Sequence, residues 1–497
     1  MIVYDNALIN ASNEAETIGG RDSAASNALE SARRHVAEIL SDETSAKAAT
    51  TSNRAPVPSP NIRRVNQWLE VATIAPSLTR SRKALVDDLK SVAGVVGVIP
   101  DHRIKPFLVA NDQYTDLQWH YYDPVGGINL QQAWDVALDG DFNNTLPLVN
   151  VAVIDSGILP HEDLDGQIIA GADFITLPEI ARDGDGRDTD PTDTGDYMPA
   201  NFCAPNVPPV AIPSSWHGTV ISGLIGASVN NSLGVAGVAP NAKIIPIRVL
   251  GPCGGSLLDA LEGMLWAAGA TINGLPDNPN PAAIVNLSFG VEGATCTPDI
   301  QAFISGVTDL GAILVAATGN SAIDTANVIP ASCDNVIAVG AASSTGNSAN
   351  YSNLGAAVDL LAPGASPQNP ADPDLGILST SNNGPEGPNA DDYIRGYAGT
   401  SMAAPHVSGV IAMMLGLDPS LTPAEVEQIL KDTAKPFPGA CNGCGAGRLD
   451  AEAAVRQAKG AGISALMGLS LLALYLFRTT TMVHGRMVHG RRYRSAR

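Results

Sequence analysis

The sequence predicts an α/β protein: a parallel sheet with helices on both faces, three layers in all, preceded by a small α+β unit. Two observations point there. Short apolar runs such as Val151 to Ile154, Ile284 to Leu287 and Ala312 to Val315 lack the polar alternation of a half-exposed strand. Strands covered on both faces read in this way. Segments of helical pattern, among them Leu257 to Ala268 and Ala424 to Lys431, alternate with such runs. Strands that alternate with helices build parallel sheets.

The regions follow in order. Residues 1–60 are polar, rich in Ala, Ser, Asn and Thr, and close on Pro56, Pro58 and Pro60. This composition predicts disorder, broken by one amphipathic helix from Ser26 to Leu40. No apolar core follows Met1, so no secretory signal peptide is visible. Export then uses another route, or the true N-terminus is missing. In residues 61–112 a strand is predicted at Trp68 to Ala75, a helix at Arg80 to Val92 and a second strand at Val95 to Ile99; a first strand is not evident. Residues 113–459 form the main domain. From Gly460 a tail begins, in which Ala461 to Phe477 holds 17 residues without a charge before a basic end. That length is at the short limit for crossing a bilayer, and the basic flank predicts a cytoplasmic end. A core helix is the alternative, but the segment lies beyond the expected end of the fold. Met482 to Arg486 repeats at once as Met487 to Arg491, and no function follows from it.

Composition narrows the class. The 497 residues carry 50 acidic and 29 basic side chains, a formal net charge of −21. Such a balance argues against a nucleic-acid partner and suits a soluble, cation-binding surface. Six cysteines, Cys203, Cys253, Cys296, Cys333, Cys441 and Cys444, suggest disulfides, and by sequence they allow about 15 pairings. Cys441 and Cys444 also read as a redox or half-zinc motif, ranked below a small-loop disulfide because no partner pair lies nearby at zinc spacing.

Three segments concentrate the chemistry. Asp155 ends the Val151 run and is followed by Ser156-Gly157; His217 opens His217-Gly218-Thr219; Ser401 stands in Gly399-Thr400-Ser401-Met402-Ala403-Ala404-Pro405-His406. A serine hydroxyl needs a base within reach, histidine titrates near neutrality, and a buried aspartate fixes its tautomer. The order Asp, His, Ser is one of three unrelated orders of that triad. Asp155 falls at the carboxyl end of a strand, where open α/β sheets place their sites. Ser401 is predicted near the N-terminus of a helix running through Leu415, where free backbone N–H groups stabilise an anion; Pro405 is expected in its first turn.

At these residues the chain resembles the subtilisin-like serine peptidases. Gly399 to Gly409 is close to that family's nucleophile signature, and Asp155-Ser156-Gly157-Ile158 matches its aspartate segment. The histidine segment departs from it, with Val220-Ile221 where the family usually has His-Val. The likeness runs from about Asn111 to about Ala458. It implies Ser401 as nucleophile, His217 as base, Asp155 as its orienter, and Asn320 with the Ser401 N–H as oxyanion donors. Gly-Asn after a strand is otherwise a plain turn. It also implies that Ser288, Phe289 and Gly290 pair with the substrate backbone and wall the first pocket, with Gly254 and Gly255 on the opposite edge and Gly319 beside the oxyanion amide. Phe289 reads equally well as core.

Calcium is the implied cofactor, held by the Asp163 and Asn231 side chains and the carbonyls of Val229, Leu233 and Val235; hard cations take such oxygen ligands. A second calcium candidate is the acidic run with Asp183, Asp185, Asp188 and Asp190, continuing to Asp193 and Asp196, which also reads as a solvated loop. The resemblance favours the pairs Cys203–Cys253, Cys296–Cys333 and Cys441–Cys444. It implies that residues 61–112 are an inhibitory propeptide, removed between Lys105 and Asp116, and that the tail is a sorting or membrane segment. The expected protein is thus a secreted or cell-surface monomer acting on proteins and peptides, with possible membrane contact through 461–477. A catalytically silent binding scaffold is the rival reading. An α/β-hydrolase esterase is excluded by the Gly-x-Ser-x-Ala context and the triad order.

Overall fold

The computed structural model describes residues 2–4, 30–39, 61–66, 69–73, 82–98, 108–365 and 376–460. The chain divides into two units, Met1–Pro106 and Phe107–Arg497, ahead of the boundary expected at 112. The first unit contains a four-stranded antiparallel sheet in the order Asn61–Asn66, Leu69–Thr73, Ile2–Tyr4, Val95–Val98. The strand that sequence reading misses is Asn61–Asn66, whose Asn-Ile-Arg-Arg-Val-Asn has little β signal. Ile2–Tyr4 is a correction: it lies in the stretch expected to be disordered, yet it pairs on both sides. Pairing partners distant in sequence decide a three-residue strand, not its own propensity. Helix Arg82–Lys90 buries Leu85 and Leu89, four residues apart on one face. Residues 30–39 are helical, within the helix expected at 26–40.

The second unit is built on a seven-stranded parallel sheet. Its order is Leu360–Pro363, Val336–Ala342, Ile313–Ala317, Ile284–Leu287, Val149–Asp155, Ala242–Arg248, Ala172–Asp173. Because side chains alternate across a strand, each run serves two cores. Val151 and Val153 face one core with helices His217–Gly226 and Thr400–Leu417. Ala152 and Ile154 face the other, with Leu257–Ala267 and Pro298–Asp309. The expected three-layer arrangement is therefore present. From Val149–Asp155 the chain first builds outward to Ala172–Asp173 and Ala242–Arg248, then crosses to build the other side. Asp155, the last residue of that first strand, sits at this switch point, where crevices open beyond the strand ends.

The 18-residue helix Thr400–Leu417 runs through the first core, almost wholly buried. Pro405 is its sixth residue, not in its first turn as expected. A proline there cannot donate to the carbonyl four residues earlier, which is that of Ser401. Ser288 Oγ takes the vacant role and donates to Ser401 O at 2.9 Å. The last of the described helices, 451–460, buries Ala451, Ala454, Val455 and Ala458. The apolar tail 461–477 and the repeat after it lie outside the described residues.

Candidate active site

Asp155, His217 and Ser401 are positioned by three different elements. Gly218 explains how the first two segments meet: a Cβ there would lie 2.0 Å from the Gly157 carbonyl oxygen. Only glycine allows this approach of the His217 helix to the Asp155 turn. His217 Nδ1 then hydrogen-bonds both Asp155 oxygens, at 2.8 and 2.9 Å. Asp155 is fully buried. Burial pulls the His217 pKa down, but the charge and hydrogen bond of Asp155 outweigh it, helped by Asp196 and Asp193, and the net direction is upward. This holds Nδ1 as the donor and leaves Nε2 to act as base. Val220, where the resemblance expects a second histidine, is fully buried in the first core.

Ser401 is the second residue of its helix. Its hydroxyl donates to Ser288 O at 2.9 Å, while Ser288 Oγ donates back to Ser401 O. Ser288 is held in turn by Asn286 Nδ2 at 2.9 Å, and Asn286 Oδ1 accepts from Ser408 Oγ at 2.9 Å. The polar Asn286 in an otherwise apolar strand thus links the Ser288 segment to the Ser401 helix. Catalytic hydrogen bonds commonly tighten only when substrate is bound.

Asn320 follows strand Ile313–Ala317, and its Oδ1 accepts from Thr400 N at 2.9 Å and Thr400 Oγ1 at 3.0 Å. An amide with its oxygen committed presents its NH2 elsewhere. Thr400 Oγ1 also accepts from Gly319 N at 3.0 Å, which ties the Asn320 turn to the start of the Ser401 helix. Gly319 adopts φ +98°, a conformation that favours glycine.

Phe289 is half-buried and packs one side on the second core. Gly290 leads into strand Val291–Glu292, paired antiparallel with Val328–Ile329. Gly254 and Gly255 line a cavity of about 230 Å³ with Ile175, Leu177, Ile180 and Cys253.

Sequence reading gave no role beside Asp155, His217 and Ser401 to two groups that the structure places there. Asp193 is buried and accepts from Ser156 Oγ at 2.7 Å, and Ser156 Oγ accepts from Gly218 N at 3.0 Å. This chain braces the backbone beside His217. Burial pushes Asp193 up to about 7, against the hydrogen bonds of Ser156 and Gly195. Beneath the nucleophile, His406 Nδ1 donates to Met402 O at 2.7 Å, so its Nε2 accepts from His120 Nδ1 at 2.8 Å. Burial lowers both, His406 to about 4, and keeps the pair neutral. His406 was visible in the signature; nothing local to His120 marks it as its partner, 286 residues away.

The first cation candidate is gathered around Asp163, which is fully buried. Asn231 Nδ2 donates to one of its oxygens at 2.9 Å and Val235 N to the other at 2.8 Å. The loop from Val229 through Leu233 wraps the carboxylate so closely that a Cβ on Gly234 would lie 2.3 Å from Oδ2. A second carboxylate absent from the expected set, Asp112, lies beside them, buried and accepting from Asn230 N and Asn231 N at 2.9 and 3.0 Å. Burial and the charges of Asp112 and Glu162 push Asp163 up to about 6. These two buried carboxylates offer the oxygen type that hard cations take, while Asn231 turns its NH2 to Asp163 and its Oδ1 to Leu233 N at 2.8 Å.

The second candidate is not gathered. Asp183 pairs with Arg248 at 2.6 Å and accepts from Asp185 N at 3.3 Å, Asp188 accepts from Asp190 N, and Asp190 accepts from Thr192 N and Oγ1. Asx turns satisfy these oxygens locally, so the run needs no shared ion to fold. Among the described residues no group of three or more His, Cys, Asp or Glu is placed to hold a metal. All three disulfides form in the pairing that the resemblance favours, Cys203–Cys253, Cys296–Cys333 and Cys441–Cys444.

The parallel-sheet fold carries the Asp155–His217 pair and, on a separate helix, Ser401, whose hydroxyl donates to Ser288 O. The model of the Subtilase family matches residues 148–462, more than half of the chain, and the chain belongs to that family. It is 43% identical over 395 residues to "Extracellular protease" of Xanthomonas campestris pv. campestris, covering 78% of this chain and 64% of that protein. With "Extracellular basic protease" of Dichelobacter nodosus it shares 41% over 394 residues, covering 78% and 62%. The chain thus spans less than two thirds of the length of these two relatives. A solved structure of a protease from Pseudoalteromonas arctica PAMC 21717 matches with a TM-score of 0.66 and 44% identity, over 70% of this chain and 99% of that one.

Proposed function

We propose that the chain is a serine endopeptidase that hydrolyses peptide bonds of proteins through an acyl-enzyme, and that it is made as a precursor that processes itself. The observation that carries this reading is the bidentate approach of Asp155 to His217 Nδ1 at 2.8 and 2.9 Å, on the strand end that faces the Ser401 helix. Ser401 Oγ attacks the scissile carbonyl as His217 Nε2 takes its proton. The oxyanion is met by the Asn320 NH2 and the Ser401 N–H; losing one such donor costs roughly 3–4 kcal/mol. His217 returns the proton to the leaving amine, and water then cleaves the ester by the same steps. The backbone along Ser288 to Gly290 pairs with an extended peptide, a mode tolerant of sequence.

Calcium belongs to the same proposal. Asp163, Asn231 and the carbonyls of Val229, Leu233 and Val235 would hold it, with Asp112 adjacent. The ion supplies positive charge to carboxylates that have no other cation. Residues 61–112 act as the inhibitory propeptide. The names of the two relatives support an extracellular site of action, with the 461–477 segment serving for sorting or transient anchoring.

The test is casein hydrolysis and labelling by a serine-directed fluorophosphonate, for the wild type and Ser401→Ala in calcium. The wild type is expected to cleave and label, and the variant to do neither. A wild type that neither cleaves nor labels sinks the peptidase reading and leaves the silent scaffold. N-terminal sequencing of the active form is expected to place the cut between Lys105 and Asp116.

A further inference from the structure

We propose that Glu292 is a positioning residue for the oxyanion donor: it clamps the Asn320 turn to the substrate-edge segment, so that the two walls of the site move as one. This rests on the reading of Asn320 given above. Glu292 ends the strand that continues Ser288–Gly290, and three donors from elsewhere converge on its carboxylate. Asn320 N donates to Oε1 at 3.3 Å, Asn353 Nδ2 to the same oxygen at 3.0 Å, and Ser321 Oγ to Oε2 at 2.5 Å. The hydrogen bond of Ser321, before those of Asn353 and Asn320, holds the carboxyl below the usual glutamate range. It is thus ionised where the triad works.

The opposite side of the turn is closed as well. Fully buried Asn353 donates to Thr318 O at 2.9 Å and accepts from Ser321 N and Ile323 N at 3.0 and 2.9 Å. Thr400 holds the third side through Gly319 N and Asn320 Oδ1. The turn is so tightly enclosed that a Cβ on Gly319 would lie 2.7 Å from Glu292 Oε1 and 2.4 Å from Asn353 Nδ2. Of these three supports only Glu292 is exposed, and it lies on the strand that directly follows the segment that would pair with substrate. Removing it frees the turn on the side from which substrate arrives, while Thr400 and Asn353 keep it folded. A misplacement of about 1 Å in such a donor costs up to about a hundredfold in rate.

The experiment compares the wild type, Glu292→Ala, Glu292→Gln, Asn320→Ala and the double variant Glu292→Ala with Asn320→Ala, on a chromogenic tetrapeptide amide, with Tm measured for each. Glu292→Ala is expected to lower kcat by roughly tenfold with KM within about twofold. Glu292→Gln, whose amide oxygen still accepts, is expected within about threefold of wild type. Asn320→Ala is expected to lose about 100- to 1000-fold, and in that background Glu292→Ala is expected to add nothing, since it acts through Asn320. Independent, multiplying losses overturn the proposal, and so does a changed KM with kcat intact, which makes Glu292 a substrate contact. Should Glu292→Ala not fold, Ser321→Ala, which removes one donor to the carboxylate, carries the same cycle with an expected loss of about threefold. An Asn320→Ala variant as active as wild type removes the oxyanion reading and the proposal with it. A much slower Asn320→Ala beside an unaffected Glu292→Ala removes only the proposal.

Discussion

Asp155 and Asp163 stand eight residues apart, and both are completely buried, yet their surroundings differ in one respect that decides their use. Asp155 has a partner that can carry positive charge, the His217 imidazole, which it holds by two hydrogen bonds. Asp163 has only neutral donors, Asn231 Nδ2 and Val235 N, and a second carboxylate, Asp112, nearby. A buried carboxylate that meets a titratable base becomes half of a proton-transfer device. One that meets amides and another carboxylate is harder to ionise, and a cation bound there would offset its charge. The exposed run Asp183 to Asp190 is a third case: it has more carboxylates in sequence, but local turns and Arg248 satisfy them.

The contrast is most sharply tested by removing the charge at Asp155. Asp155→Asn is expected to keep the fold, with Tm within a few degrees, and to lower kcat by about 10⁴, because the amide favours the wrong imidazole tautomer. A loss under about 100-fold would mean that Asp155 does not orient His217. Next in size is the cation. At pH 7 a chelator is expected to lower Tm by about 5 °C, the shift for an ion present at about 1,000 times its Kd in a domain of this size. Asp163→Asn is expected to abolish that response. An unchanged Tm in chelator breaks the comparison at its second member.

The buried histidine pair gives a smaller, pH-dependent effect. His120 and His406 are kept neutral in the fold, with pKa values lowered by burial, while the unfolded chain protonates them near 6.5. Below 6.5 the unfolded state therefore binds more protons, and stability is lost as pH falls from about 6.5 towards 4. In saturating calcium the wild type is expected to lose several degrees more in Tm between pH 7 and pH 4.5 than His120→Leu; equal slopes would show that the pair does not titrate on unfolding. The smallest effect is expected in the exposed run. Asp190→Asn should shift Tm by less than about 2 °C and leave the calcium response intact. A lost calcium response there would move the cation site to the acidic loop.

Much of this was legible in the chain. Val151 to Ile154 and Ala312 to Val315 are buried on both faces, so their apolar character is continuous and declares itself locally. Asp155 and His217 stand beside Gly157 and Gly218, where close approach leaves no room for a Cβ, and such glycines leave a local trace. Pro405 was legible as a residue but not as a helix position: its place in the second turn depends on Ser288 supplying the hydrogen bond that Pro405 cannot. Asn61–Asn66 and Ile2–Tyr4 were illegible as strands, since partners far along the chain and not their own side chains make them so.

By itself, then, the sequence determined the parallel α/β class, the order of the segments that carry Asp155, His217 and Ser401 and, through resemblance, the loop around Asp163 and the cysteine pairs. These are properties of short segments, where periodicity and steric need are written residue by residue. Only the tertiary structure decided that Asp112 joins Asp163, that His120 meets His406, that Asp193 braces the backbone at His217, and that Glu292 and Asn353 enclose the Asn320 turn. Each joins elements far apart in the chain, and a buried charge or amide is satisfied by whatever the fold brings within about 3 Å of it, which no local pattern encodes.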